Sequence, residues 1–393
     1  MSTSEQAAGV VAQYGRKNPF PARITHRRSL TKPGSGKDTR HLELSLSGSG
    51  LHYTVGDSLG VFARNPPSLV TELLAVLGLD PQEQVTLAQG QSVSLLTALS
   101  SHLTLNRASR KILHGVFDRL PVGTPARERL EALMADDAQV AEYLFSRDYV
   151  DVLRDYPEAR FESASAFVKM LSPIQPRLYS IASSMAAHPN EVHLCVAVVR
   201  YETHGRKKMG LASGFLADLA REGEADVPVF VQESPKFFLP SDPTRDVIMV
   251  GPGTGIAPFR AFLEQREVDR APGRNWLFFG EQHAATDFLY EEDLYRFQKR
   301  GVLHRLDLAF SRDQAEKIYV QTRMLQHAAE LWQWISNGAY FYVCGDARRM
   351  AKDVHQTLIQ IVREQGGMAP EAAVAFVEQT LMKTERRYLR DVY

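Results

Sequence analysis

Val250-Gly251-Pro252-Gly253-Thr254-Gly255-Ile256-Ala257-Pro258-Phe259-Arg260 is the stretch whose reading decides the fold. An apolar run, Asp246–Val250, leads into it, and a helical pattern, Pro258–Val268, leads out. Glycines between a strand and a helix let the backbone approach a pyrophosphate, and the helix start adds amide donors and a positive dipole. The stretch departs from the common dinucleotide fingerprint, because Ile256 stands at the third glycine position. Further apolar strands are expected at Asn275–Gly280, His304–Phe310 and Ala339–Cys344. Helices are expected at Glu291–Lys299, Met324–Gln333, Arg348–Gln365 and Pro370–Lys383. Strands alternating with helices predict a doubly wound parallel sheet.

Upstream the pattern is different. His41 to Leu46 alternates polar and apolar residues, the mark of a half-buried strand. Lys32–Gly36 reads as a turn, and strand character returns at Arg177–Ser183, Glu191–Tyr201 and Asp226–Val231, with a helix at Ser213–Ala220. Between these lies a helical block, about 66–172, which includes Arg110–Leu120, Ala126–Met134 and Ala138–Phe145. Its first run, Leu69–Leu77, is expected to be capped by Ser68 and to stop at Gly78. The simplest account is one antiparallel barrel split by a helical insertion. The fold class is then α/β and multidomain: a flexible tail over 1–17, a barrel domain over 18–240 carrying the insertion, and a parallel-sheet domain over 241–393.

Composition narrows the function classes. The 393 residues carry 46 Lys plus Arg against 46 Asp plus Glu, so a basic excess for nucleic-acid binding is missing. The two cysteines, Cys195 and Cys344, exclude a disulfide framework or a four-cysteine zinc site, and no metal is expected. No secretory leader and no membrane-spanning run is visible, which predicts a soluble, cytoplasmic protein. Neutrality hides one local excess: Tyr14 to Arg40 holds eight Lys or Arg against the single acid Asp38. That stretch reads either as a solvated strand face or as a docking face for an acidic partner.

Four further segments carry chemistry. Arg177-Leu178-Tyr179-Ser180-Ile181-Ala182-Ser183-Ser184 is, on its own, an amphipathic strand with one Arg suited to phosphate oxygens. Gly210-Leu211-Ala212-Ser213 is a turn and a helix start. Phe310 to Gln321 follows a strand and offers Ser311, Arg312, Lys317, Tyr319 and Gln321. Two cations, two hydroxyls and a ring face suit a 2′-phosphate and its adenine, whereas a ribose with a free hydroxyl wants a carboxylate. The nearest acid, Glu281, reads as a surface charge. Tyr340 to Met350 is a buried strand ending at Cys344, with Asp346 placed to cap the next helix.

In this order, these segments resemble the ferredoxin–NADP reductase superfamily. The resemblance runs from about Asn18 to Tyr393 and is closest to the FAD/NADPH half of diflavin reductases, above all the NADPH–sulfite reductase flavoproteins. It implies that Arg177 meets the FAD pyrophosphate, that Leu178 and Tyr179 lie along the flavin, and that Ser180 reaches the flavin nitrogen that accepts hydride. It implies further that the backbone of Cys195, Val196 and Ala197 bonds the flavin ring, that Tyr201 stacks on adenine, and that Gly210, Leu211, Ala212 and Ser213 hold the pyrophosphate. For NADPH it implies Gly253, Thr254 and Gly255, the Ser311 to Gln321 set, and Asp346, Arg348 and Met350. Cys344 would lie against the reacting nicotinamide carbon and act with Ser180 and Asp391. Tyr393 would cover the flavin as a displaceable gate.

The implied activity is an NADPH-dependent flavin oxidoreductase. Its expected partner is a flavodoxin-like or ferredoxin-like carrier, or a sulfite reductase haemoprotein. The alternatives are a ferredoxin or flavodoxin–NADP reductase, an NADPH–quinone or dye reductase, and a non-catalytic scaffold subunit. Diflavin reductases add a flavodoxin-like FMN domain, but only about 20 residues precede the barrel here, and no phosphate loop of flavodoxin type is found. The expectation is therefore FAD and NADPH, with no FMN on this chain.

Overall fold

The structure, a computed structural model, describes residues 14–88 and 90–393. The expected tail before Tyr14 lies outside the described residues. The strands are β1 (Phe20–Ser29), β2 (Thr39–Ser45), β3 (Ser58–Val61), β4 (Gln84–Thr86), β5 (Ser92–Ser94), β6 (Arg177–Ser180), β7 (Glu191–Ala197), β8 (Arg200–Thr203), β9 (Arg206–Met209), β10 (Ala225–Gln232), β11 (Val247–Val250), β12 (Asn275–Glu281), β13 (Arg305–Phe310), β14 (Tyr340–Gly345) and β15 (Tyr388–Val392). Two compact units emerge. The first holds the chain up to Gly60 with Leu178–Ala197 and Glu222–Tyr393; the second holds Val61–Arg177 with Val198–Arg221.

In the first unit, β1 alternates as a half-buried strand must. Ala22 and Ile24 are fully buried, while Pro21, Arg23 and Thr25 face out. The sheet order is β6-β3-β10-β1-β2-β7, with β1 antiparallel to both β10 and β2, and β2 antiparallel to β7. A bridge between Ile181 and Leu194, with the Ala182 N–H donating to His193 O at 2.8 Å, joins the two edges. The sheet therefore closes on itself, as a barrel does, and leaves no long open edge.

The same unit carries a five-stranded sheet in the order β13-β12-β11-β14-β15, with every pair parallel. All four residues of β11 are fully buried. Val247 and Met249 enter one core with Phe259, Phe262 and Tyr342; Ile248 and Val250 enter another with Trp276, Leu331 and Val343. Burial on both faces is why this strand reads as an unbroken apolar run. The chain moves from β11 to β12 and β13, then returns to β14 on the other side of β11. The reversal point, where such sheets bind ligands, lies between the carboxyl ends of β11 and β14.

The structure corrects several element boundaries. The expected helix over Met324–Gln333 is two helices, Val320–Gln326 and Ala328–Ser336, meeting at His327. The helices near Ser213 and Phe376 turn from α into π geometry at Phe215–Leu219 and Phe376–Thr384. The helix Pro67–Leu77 starts after Pro66 with no side-chain cap, so Ser68 is not its cap; it does stop at Gly78, at φ 65°. The last residues do not fray. Tyr388 and Leu389 are buried at 2% and 5% exposure, and β15 pairs along β14, where an open strand edge would otherwise remain.

The second unit is mainly helical, with an apolar core including Val70, Leu99, Ile112, Leu130, Tyr149 and Phe167. The β8–β9 hairpin is pinned within it by charge. Arg206 Nη1 lies 2.6 Å from Asp148 Oδ2 and 2.8 Å from Asp151 Oδ1, its other donors meet Glu72, and Lys208 meets Asp151.

The basic stretch Tyr14–Arg40 becomes β1 and the turn after it, and four of its cations have partners in the same unit. Arg28 pairs with Asp293 at 3.7 Å, Lys32 with Glu291 at 2.6 Å, Lys37 with Glu281 at 2.6 Å and Arg40 with Asp38 at 2.8 Å. A docking face would have to do without those charges. Among the described residues, no helix is long and apolar enough to cross a membrane.

Candidate functional site

The turn after β11 and the end of β14 are built against each other. A side chain at Gly255 would put its Cβ 2.1 Å from the Cys344 carbonyl oxygen, and one at Gly251 would meet the Phe259 ring at 2.5 Å. Gly253 adopts φ 58°, where glycine is unstrained. These glycines let the first helical turn sit directly on the carboxyl end of the sheet.

At that end three side chains converge. The parallel register sets Cys344 opposite Asp391. The Ser180 hydroxyl donates to Asp391 Oδ2 at 2.6 Å, and the Cys344 thiol lies 3.8 Å from the same oxygen. Burial, and then the Asp391 charge, push the Cys344 thiol well above its ordinary pKa, so it stays protonated. The segment after Ser180 is held by the helix Ala257–Val268. Arg260 Nη1 donates to Ala182 O at 2.7 Å, and the Ser184 N–H donates to Glu264 Oε2 at 2.8 Å. Arg260 and Glu264 are 5% and 3% exposed. They are supports that motif reading passed over.

Tyr393 closes this end. Its N–H donates to Gly345 O at 3.1 Å, and its carbonyl accepts from the Ala347 N–H at 3.0 Å. Its hydroxyl is 2.8 Å from Thr254 Oγ1, and the residue is 52% exposed. Leu178, 47% exposed, offers further open apolar surface in this unit. On β7 the Cys195 side chain points into the core, where burial pushes its thiol up to about 12. Val196 is also buried, so Cys195 and Val196 can offer a ligand only their backbone.

Beside the glycine turn lies a cavity of about 490 Å³. Gly253, Ser311, Arg312, Lys317, Tyr319 and Gln321 all line it, and so do Asp346 and Met350. Thr254, Gly255, Cys344 and Arg348 do not; Arg349 lines it in place of Arg348. The Asp346 carboxylate accepts the N–H groups of Arg348, Arg349 and Met350 at 3.2, 2.9 and 3.2 Å, which lowers its pKa. It serves as a cap even though the helix begins only at Met350.

Sequence reading misplaced Glu281. It is 9% exposed, not a surface charge, and it lines the cavity with Lys37, which the motif search did not consider. The available signal was general: Glu281 ends a parallel strand, where ligand-facing groups collect. Two cations, two hydroxyls and an exposed ring on one wall fit the phosphate and adenine of a nucleotide.

Tyr179, half-buried, and Ala197, exposed, stay in the first unit, whereas Arg177, Tyr201 and the Gly210–Ser213 turn belong to the second. Tyr201 is 40% exposed on β8. It lines a small pocket of about 70 Å³ with Leu211, Ser68, Leu69 and Arg206. The Ser213 hydroxyl accepts the Val199 N–H at 3.2 Å. A Cβ at Gly210 would lie 2.7 Å from that hydroxyl and 3.0 Å from Val199 Cβ, so a side chain there would displace the Ser213 hydroxyl. Arg177 is exposed.

Residues 12–215 match the family model described as FAD binding domain. The chain belongs to that family. Residues 249–356 match a second model, the oxidoreductase NAD-binding domain, which covers the glycine turn, Cys344 and the cavity lining apart from Lys37. The chain is also similar to sulfite reductase [NADPH] flavoprotein alpha-components. One from Mannheimia succiniciproducens is 45% identical over 380 residues, covering 97% of this chain and 62% of the relative. Those of Escherichia coli O9:H4 and O1:K1 are 47% and 48% identical over 382 residues, with the same coverage. The chain thus spans 62% of the length of these curated relatives.

Proposed function

We propose that the chain is an NADPH-dependent flavin oxidoreductase that passes electrons from NADPH through FAD to a separate protein. Residues 18–240 would be the FAD part and 241–393 the NADPH part. The observation that carries this reading is the convergence of Ser180, Cys344 and Asp391 beside the glycine turn, next to a phosphate-suited cavity. Bound FAD supplies the chemistry itself, accepting a hydride and releasing electrons singly. The chain's own residues orient and hold.

Arg177 and the Gly210–Ser213 turn are the groups for the FAD pyrophosphate, Tyr201 for its adenine, and Leu178, Tyr179 and the backbone of Cys195, Val196 and Ala197 for the flavin ring. Gly253, Thr254 and Gly255 let NADPH approach, and Ser311, Arg312, Lys317, Tyr319 and Gln321 take its 2′-phosphate and adenine. Asp346, through the loop it caps, sets the positions of Arg348 and Met350. Ser180, Cys344 and Asp391 align the nicotinamide, and the 2.6 Å hydrogen bond from Ser180 holds the Asp391 carboxylate where charge develops. Rotation of the Tyr393 ring opens the face that nicotinamide needs.

The acceptor we favour is a sulfite reductase haemoprotein or a flavodoxin-like or ferredoxin-like carrier, following the identity of the relatives. A cytoplasmic location goes with this reading and with two buried, unbridged cysteines. The test is stopped-flow reduction of the FAD-loaded chain by NADPH and by NADH, followed by addition of flavodoxin, ferredoxin and the haemoprotein in turn. Fast reduction by NADPH and reoxidation by one of these proteins are expected. A purified chain that retains no flavin, or that is reduced equally by NADH, overturns the proposal.

A further inference from the structure

Glu281 ends β12, the strand next to the glycine turn, and it lines the nucleotide cavity. A carboxylate in such a place is the group that binds a ribose with free hydroxyls, and it repels a phosphate there. Here both of its oxygens are occupied. Lys37 Nζ donates to Oε1 at 2.8 Å and to Oε2 at 2.6 Å, and Oε2 also accepts the Gln282 N–H at 2.9 Å. Ser311 stands directly beside it, its N–H 2.9 Å and its hydroxyl 3.3 Å from the Glu281 carbonyl oxygen.

Lys37 reaches the cavity from the turn between β1 and β2, and that turn is fixed. The Lys32 N–H donates to Thr286 O at 2.8 Å, Lys32 Nζ pairs with Glu291 at 2.6 Å, and the Lys37 N–H donates to Ser35 Oγ at 2.9 Å. The Glu281 side chain is 4% exposed and that of Lys37 is 40% exposed, so the ammonium faces the cavity side of a buried carboxylate.

We infer that Lys37 is a specificity-determining residue for the nucleotide: it cancels the Glu281 carboxylate, removing both a ribose acceptor and a charge that would repel the 2′-phosphate. This rests on the NADPH reading proposed above. Arg312, Lys317 and Arg349 supply the attraction. Lys37 neutralises the buried Glu281 carboxylate, which would oppose it.

The experiment uses the full FAD-loaded chain and calorimetric titration with 2′,5′-ADP and with 5′-AMP, which lacks the 2′-phosphate. Lys37→Met should weaken 2′,5′-ADP by about tenfold or more and change 5′-AMP by less than about threefold. Glu281→Gln, which keeps the shape, should tighten 2′,5′-ADP, and the double variant should recover most of the loss. A Lys37→Met chain that keeps the wild-type ratio of the two affinities overturns the inference. So does one that weakens both ligands alike, or a double variant with no recovery. A wild-type chain that does not distinguish the two ligands overturns the NADPH reading and this inference together. Discrimination that Lys37→Met leaves intact overturns this inference alone.

Discussion

Single side chains decide selectivity and rate at this site. Arg312 lines the cavity, and its guanidinium is the natural fork for a phosphate. Arg312→Ala should raise KM for NADPH by about tenfold to a hundredfold and leave NADH within about twofold; steady-state kinetics with both nucleotides checks this. Equal weakening would mean that Arg312 does not read the 2′-phosphate. Asp391 accepts from Ser180 and lies against the Cys344 thiol, so it sets the geometry of both. Asp391→Ala should lower kcat with NADPH by about a hundredfold while flavin content stays unchanged. Most of these residues were legible in the sequence because their order along the chain is itself a pattern. Lys37 and Glu281 were not. They lie 244 positions apart, and no local motif signals a pair of that kind.

At the scale of elements, the last strand and the β8–β9 hairpin carry more than their length suggests. β15 places Asp391 in register with Cys344, and its anchor is Tyr388, 2% exposed and packed edge-on to Phe341 at 5.5 Å. Tyr388→Ala should cost about 3–5 kcal/mol in a denaturant titration, the range for truncating a buried aromatic. The hairpin depends on Arg206, whose side chain is 12% exposed against Asp148 at 2%. Arg206→Met leaves the buried Asp148 and Asp151 to share Lys208 and should destabilise by about 3 kcal/mol, read by the same titration. Element existence was readable from periodicity. The break at His327 and the π turns were not, because a helical apolar pattern marks a helix without fixing the hydrogen-bond repeat of each turn.

At the scale of the molecule, two buried histidines impose a pH limit. Burial drives His41 and His193 from 6.5 down to about 2. Above pH 6.5 both are neutral whether the chain is folded or not, so they add nothing to the pH dependence. As pH falls below 6.5 the unfolded chain takes up protons that the folded chain refuses, and stability drops by about 1.4 kcal/mol per pH unit for each. His188 acts in the opposite sense. Its hydrogen bond to Glu264 raises its pKa, so its contribution is present in acid and is lost as pH rises. Two groups outweigh one, and thermal unfolding between about pH 6.5 and 4.5 should show a net loss of stability. His193→Gln should make that slope shallower.

By itself the sequence determined the two sheet types, the helical block between the barrel strands and the residues around the glycine turn. Apolar periodicity and glycine placement are local properties, set by backbone geometry and written in consecutive residues. Only the tertiary structure decided what lies opposite what. It made the final residues a strand rather than a loose tail, because β14 had an edge to fill. It paired three cations of the basic stretch, Arg28, Lys32 and Lys37, with acids far away in sequence. It buried Glu281 and gave it Lys37, because a carboxylate withdrawn from water needs a counter-charge and the folded chain supplies one from the nearest turn.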